Sequence, residues 1–298
     1  MKIKPNIKTF SAVIWAFAVL AATALGSCVR DDLYDTSHPD HGKITVSADW
    51  TARGEEVPEP EKWIISVGDY IAEETESTHE AQRLFEPGSY CMITYTAVDG
   101  ITVTGTTATV APQPAGRGST FINENPGWFL TGVQDITVEK DREHLLAAPM
   151  RQQVRQLTLL IEPTGNAADA IESIPGSLSG IAGTLDFATD TYGAASDIRL
   201  DFTKITEGSN AGKWAATVRL LGIAGDKQLM SATVTFAGGS QQPVIIESDL
   251  SEALAGFNND KTVSLTLGGA MVETSTSAGM TATIDKWEVV DGGNIDAH

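Results

Sequence analysis

At 298 residues the chain is long enough for one large β domain or two ordinary ones. Its 39 acidic residues outnumber 20 basic ones, giving a net charge of −19 that sets the surface against nucleic acid and anionic lipid headgroups. Glycine is abundant at 28 residues while aromatics make up only 7%, and with many short alternating runs this composition points to an all-β extracytoplasmic protein.

The first stretch reads as a secretory signal. Lys2, Lys4 and Lys8 precede an apolar run over 12–25, and Leu25, Gly26 and Ser27 lead into Cys28. A membrane-spanning helix needs about 20 apolar residues. The run here is shorter, is broken by Thr23 and ends in small residues followed by charge. A plain secretory cut at Ala22 to Ala24 is the competing reading, but the cysteine directly after Leu-Gly-Ser resembles a bacterial lipobox, in which the Cys28 thiol takes lipid and residues 1–27 are removed. That removal takes away three lysines and no acid, so 17 basic residues face 39 acids and the mature charge falls to −22. Two or more acyl chains anchor stably where one does not. Residues 28–42 then form an acidic tether carrying Arg30, Asp31 and Asp32. His38 and His41 beside Asp40 would make at most a weak metal site, and a polar turn around Pro39 is the better reading.

In 43–50, Ile44, Val46, Ala48 and Trp50 alternate with polar residues and predict a half-buried strand. Residues 51–62 hold Arg53, Gly54, Pro58 and Pro60 among acids and predict a loop. Trp63, Ile65 and Val67 give a second strand, and 72–83 a polar stretch with room for a helical turn. Residues 89–98 are apolar on both faces and predict an internal strand, with Cys91 as a small core residue. Asp99-Gly100 predicts a hairpin whose return strand is 101–110. Short strands follow at 128–130 and 135–139, and 145–150 would suit a helix but for Pro149, so the domain junction is placed there.

In the second half Leu157, Leu159 and Ile161 predict a buried strand, and 166–173 a helix closed by Pro175-Gly176. Strands are expected at 178–187, 198–205, 213–221, 229–236 and 243–246. Asp249 and Glu252 resemble a capping box for an amphipathic helix with Leu250, Ala253, Leu254 and Phe257 on one face. Val263, Leu265 and Leu267 alternate, and a last strand over 281–290 changes parity between Ile284 and Trp287, which predicts a bulge at Asp285-Lys286.

No catalytic constellation stands out. Gly208 to Lys213 is one residue short of a phosphate loop, and Trp214 stands where a hydroxyl would bind magnesium, so a hairpin loop is expected. His38, His41, His79 and His298 fall in tether, loop or tail, and only His144 lies near ordered structure. With 39 acids some carboxylate pair always falls at glycosidase spacing, so acid pairs select nothing. Trp50, Trp63, Trp128, Trp214 and Trp287 could line a glycan platform, but each sits on or beside an alternating run, where packing is the usual role. No catalytic, cofactor-binding or metal residue is assigned.

The segments 38–43, 178–182, 220–222 and 249–261, above all Phe257-Asn258-Asn259-Asp260-Lys261, and the ending at Ile284 to Trp287, resemble the FimB-type fimbrial anchor and minor-subunit lipoproteins of Bacteroidales. The resemblance covers nearly the whole mature chain. It implies two transthyretin-like, Ig-like Greek-key β-sandwiches with a few short helices, over 43–151 and 152–298, on the outside of the outer membrane. It also implies joining to fimbrial subunits by donation of a β-strand. In stalk subunits of that family an arginine-specific protease removes the lipidated first strand, and Arg53 is the candidate cut here. An anchor would keep that strand, and the tail 291–298 has no alternating run to serve as a spare donor. The alternative role is a lipid-anchored module binding a glycan or host protein.

Overall fold

The computed structural model describes residues 40–113, 121–165, 168–239, 242–273, 281–283 and 287–290. Cys28, His38, the 285–286 bulge and the tail lie outside the described residues. The protein is all-β, with 3₁₀ turns at Ala168–Ala170 and Ala237–Gly239 as its helical elements among the described residues.

Alternation in the first segment produces β1 (Lys43–Asp49), whose Ile44 and Val46 are fully buried. It forms the centre of a three-stranded sheet, antiparallel to β4 (Thr78–Glu80) and parallel to β9 (Glu143–Pro149). Facing it is an antiparallel sheet built from β2 (Trp63–Val67), β3 (Tyr70–Glu74), β5 (Gly88–Thr96), β8 (Leu130–Val138) and β10 (Arg151–Gln152), in the order β10-β8-β5-β2-β3. The inward residues of both sheets, among them Val46, Trp50, Trp63, Ile65, Met92, Leu130 and Ala148, meet in one buried cluster, which makes this a β-sandwich.

The remaining strands form a second, larger assembly. A hairpin of β6 (Ile101–Thr104) and β7 (Thr107–Val110) leads into it. With β11 (Arg155–Thr164), β12 (Ile171–Asp186), β13 (Thr191–Lys204), β14 (Trp214–Leu220), β15 (Leu229–Phe236), β16 (Val244–Asp249), β17 (Leu265–Glu273), β18 (Thr281–Thr283) and β19 (Glu288–Val289), the hydrogen-bonded order is β18-β16-β15-β12-β13-β14-β11-β17-β19. β13 and β14 share only the pairs Thr203 with Ala215 and Lys204 with Trp214. The limbs on either side of that seam bury their apolar residues together, including Leu159, Leu178, Leu200, Val218, Val234 and Leu267. In β15, Met230, Ala232, Val234 and Phe236 all face this core, as their spacing predicts. Gly180, at φ +73, sits where the β12 register with β13 shifts between Leu178 and Ile181, and a Cβ there would lie 2.2 Å from the Lys227 carbonyl oxygen.

Several expectations are corrected. Residues 101–110 do not return against β5. Gly100 has the expected positive φ of 77, but the chain turns again at Gly105, and β7 pairs with β12 in the second assembly. The 72–83 stretch is β3 and β4 rather than a helical turn, and 145–150 is β9, stabilised by its parallel ladder to β1. Only Ala168–Ala170 of the 166–173 segment is helical. Beyond it β12 runs straight through Pro175, whose missing donor falls where pairing to β15 skips from Ser173 to Gly176. The predicted amphipathic helix is a run of turns over 251–259. One helical bond, Leu254 N to Leu250 O, gives way to tighter ones from Phe257 to Leu254 and Asn259 to Gly256. Leu250, Leu254 and Phe257 are nonetheless all buried as the apolar spacing requires, because so short a helix depends on tertiary contacts for its shape.

The single last strand is in fact two short ones. β18 lies parallel to β16 and β19 antiparallel to β17, at opposite ends of the strand order. Cys91 is exposed, not a core residue. The inward face of β5 belongs to Met92, Thr94 and Thr96, while the outward face, covered near Tyr95 by the second assembly, is open at the Cys91 end. The 208–213 segment is the expected hairpin loop, closed by Ile205 N to Lys213 O and Gly212 N to Ile205 O, each at 2.8 Å.

Candidate assembly surface and the Lys261 junction

Each sheet of the first sandwich has two end strands, β4 and β9 in one and β10 and β3 in the other, and one strand of each pair carries a strongly exposed apolar side chain. β9 ends the three-stranded sheet and carries Leu145 at 76% exposure, and β3 ends the five-stranded sheet and carries Ile71 at 69%. An open edge bearing outward apolar side chains can be extended by a further strand, main chain supplying the affinity and side chains the register.

Of the residues singled out in the sequence, the tryptophans are mostly structural. Trp50 and Trp63 meet edge to face with ring centroids 6.2 Å apart in the smaller core, and Trp214 is buried in the larger one. Trp128 is half-buried against both cores with the Arg219 guanidinium 5.4 Å from its ring centre, and the Trp287 indole donates to Ser248 Oγ. No shared tryptophan platform results. His144 lies in β9 and its Nε2 accepts the Glu139 amide at 3.0 Å, a turn contact rather than a catalytic one. His79, expected in a loop, is buried in β4. Its Nδ1 faces Glu74 Oε2 at 3.0 Å and its Nε2 the Tyr70 hydroxyl at 2.8 Å. Giving the ring proton to Nδ1 leaves Nε2 to accept from Tyr70, whose oxygen accepts from the Gln82 amide. Donors at Glu76 first, and then His79, hold the Glu74 carboxyl below its usual range. The chain Glu74, His79, Tyr70 resembles a relay, but it joins β3 of one sheet to β4 of the other, and the Tyr70 hydroxyl at its end is engaged by both His79 and the Gln82 amide. Among the described residues no three His, Cys, Asp or Glu side chains gather as a metal site.

Arg53 lies in the turn after β1, and its side chain is engaged. Nε donates to Val57 O at 3.1 Å and Nη1 to Trp50 O at 3.3 Å. The next residue, Gly54, is buried and its amide donates to Gln152 Oε1 at 2.9 Å. Gln152 Nε2 in turn donates to the carbonyls of Val154 and Lys261. Lys261 is 7% exposed, and its Nζ donates to Gln153 O and Leu221 O, both at 2.8 Å, with the Tyr192 ring centre 4.7 Å away. Arg155 holds the same segment through Val263 O at 2.7 Å and Phe257 O at 3.0 Å. Gln152, Gln153 and Lys261 line a cleft of about 530 Å³ together with Arg151, Asp190 and Tyr192. Burial pushes Lys261 down to about 7, the charges of Arg151 and Arg155 adding to it and Asp190 opposing. Burial likewise pushes Tyr192 up to about 12, Asp190 adding to it.

Sequence reasoning quotes Lys261 within the resemblance and places His79 in a loop, but gives neither a buried role, because neither position carries a local signal of burial. A lysine after a polar Asn-Asn-Asp run and a histidine between Thr78 and Glu80 both look solvated. The partners that bury them come from far along the chain.

The arrangement defines a two-sandwich β protein with open strand edges and no assembled catalytic centre among the described residues. No protein-family model matches the chain, and no curated protein matches it. Solved structures do. A candidate adhesin from Bacteroides ovatus aligns over 87% of this chain and 97% of its own, with a TM-score of 0.52 at 14% identity. A second candidate adhesin from Bacteroides ovatus covers 85% of this chain and 93% of its own, with a TM-score of 0.55 at 9% identity. The fimbrial anchor protein Mfa2 from Porphyromonas gingivalis covers 76% of this chain and 90% of its own, with a TM-score of 0.50 at 13% identity. At these identities the likeness is one of fold.

Proposed function

We propose that the chain is a surface lipoprotein of the outer membrane, acylated at Cys28, that serves adhesion as an anchor or accessory subunit of a fimbrium and joins its neighbours by strand exchange. The division into sandwiches at 43–151 and 152–298 belongs to the same proposal, with the hairpin of β6 and β7 reaching across it. No catalysis is part of the role. The observation that carries it is the position of β1. Only the tether 28–42 separates this strand from Cys28, and β1 is the middle strand of its sheet, so lipid at Cys28 is tied through the chain to the core of the first sandwich. A subunit that stays bonded to the membrane has to keep this strand. The fold it shares with Mfa2, a fimbrial anchor protein, and with the candidate adhesins supports the same reading.

Fimbriae sheared from cells and purified, alongside the remaining outer membrane, test it. The chain is expected in the outer-membrane fraction and in complexes pulled down with fimbrial subunits. Surface display without any fimbrial partner overturns the assembly role and leaves a binding module for a glycan or host protein.

A further inference from the structure

The loop after β1 is polar, yet its scissile candidate is locked. The carbonyl of Trp50 accepts from both the Arg53 amide and the Arg53 guanidinium, the Gly54 carbonyl accepts from Val57 at 3.1 Å, and a Cβ on Gly54 would lie 2.2 Å from the Thr262 carbonyl oxygen. The loop is thus pressed against the 260–264 segment of the second sandwich, where Ser264 Oγ also donates to Glu56 Oε2 at 2.9 Å. Protease clefts take their substrates extended, with the arginine side chain free to enter the specificity pocket. Neither condition holds at Arg53 until the turn opens, and opening it strips Gly54 N from Gln152. Gln152 cannot follow the loop outward because its amide nitrogen is bound to Val154 O and Lys261 O. Lys261 is itself fixed by Gln153 O and Leu221 O.

We infer that the series Gly54, Gln152, Lys261 is a latch by which the second sandwich retains the first strand and shields the Arg53–Gly54 bond from arginine-specific proteases. The inference deepens the retained-strand reading above and rests on it for its biological use, but the latch is a property of the isolated protein. It has a mechanical consequence. Anything that lifts the 257–263 segment off Tyr192 and Leu221 also exposes the bond that frees β1, so the fate of the first strand is coupled to the far sandwich.

Limited digestion of the purified mature chain with an arginine-specific protease tests it, the fragments being followed by mass. Arg142, with its side chain 64% exposed in the turn between β8 and β9, is the internal reference for general loosening. In the native protein Arg142 is cut well before Arg53. Gln152→Ala removes the acceptor of the buried Gly54 amide, and the cut at Arg53 is expected to accelerate about tenfold while the Arg142 rate holds, since cleavage follows the open population. Lys261→Met provides a second route to the same opening, should Gln152→Ala fold poorly. Cleavage of the native chain at Arg53 as fast as at Arg142 overturns the latch. So does a failure of either folded variant to accelerate the Arg53 cut, or a parallel rise at both sites. Because the readout is on purified protein, it can fail while fimbrial association stands, and the reverse.

Discussion

Trp63→Ala is expected to cost the protein about 4 kcal/mol of stability, in the range seen for deleting a large buried aromatic. Trp63 is 1% exposed and stands edge to face with Trp50 at 6.2 Å and with His79 at 6.4 Å. Its Nε1 donates to Glu76 O at 2.8 Å. Alanine leaves a cavity between the two sheets of the first sandwich, strands the Glu76 carbonyl and removes the surface on which Trp50 rests at the end of β1. Urea titration at 25 °C, followed by far-UV circular dichroism, should show the first unfolding transition moved to lower denaturant. Trp63→Phe, which refills most of the volume but has no indole donor, should lose less than half as much. A loss under about 1 kcal/mol for the alanine variant would mean that Trp63 does not hold the sheets together.

The second large effect is one of pH. Lys261 titrates at about 7 in the folded protein against 10.5 for an ordinary lysine. Between those values the unfolded chain binds more protons at this residue than the folded one, so unfolding free energy rises with pH at up to about 1.4 kcal/mol per unit. Below about pH 7 both forms are protonated and the folded state carries the full burden of a buried ammonium. Lys261→Met strips the carbonyls of Gln153 and Leu221 of a donor, a loss that does not depend on pH, and it also abolishes the slope. The native protein should therefore gain about 2 kcal/mol relative to the variant between pH 7 and pH 9, measured by paired urea titrations. Tyr192 works in the opposite direction only above pH 10, because its folded value near 12 exceeds the ordinary 10, and the chosen window avoids it. Parallel stability curves for the two proteins would show that Lys261 is charged in the fold throughout.

Much of the architecture is local information. The alternation of Ile44, Val46 and Trp50, of Trp63, Ile65 and Val67, and of Met230 to Phe236 assigns strands and inward faces without any tertiary knowledge, and each of those residues is buried in the fold. What fails is whatever depends on a distant partner. Leu250, Leu254 and Phe257 carry helical spacing, but three buried contacts can be met equally well by successive turns, and Asp249 accepts from Ser251 rather than starting a helix. Asp99-Gly100 supplies the expected positive φ, yet the strand it leads to pairs with β7 and delivers the hairpin to Thr184, Leu185 and Asp186 of β12. Pairing choices of that kind are decided by which edge is open, not by the turn.

The candidate site was legible only in part. Arg53 is visible as an arginine in an acidic loop, but the groups that hold its neighbour Gly54, Gln152 and Thr262, are announced by no pattern around residue 53. Cys91 shows the converse. Its neighbours Tyr90, Met92 and Ile93 are apolar enough to predict burial on either face, while the second assembly covers the outer face of β5 only toward Tyr95.

The intact mass and terminal peptide of the chain recovered from its outer-membrane and fimbrial fractions test the central claim most directly. A mature chain beginning at acylated Cys28, with β1 and the Arg53–Gly54 bond intact, is the predicted result. A chain beginning at Gly54 without lipid would contradict it, making this a subunit that gives up its first strand to polymerise.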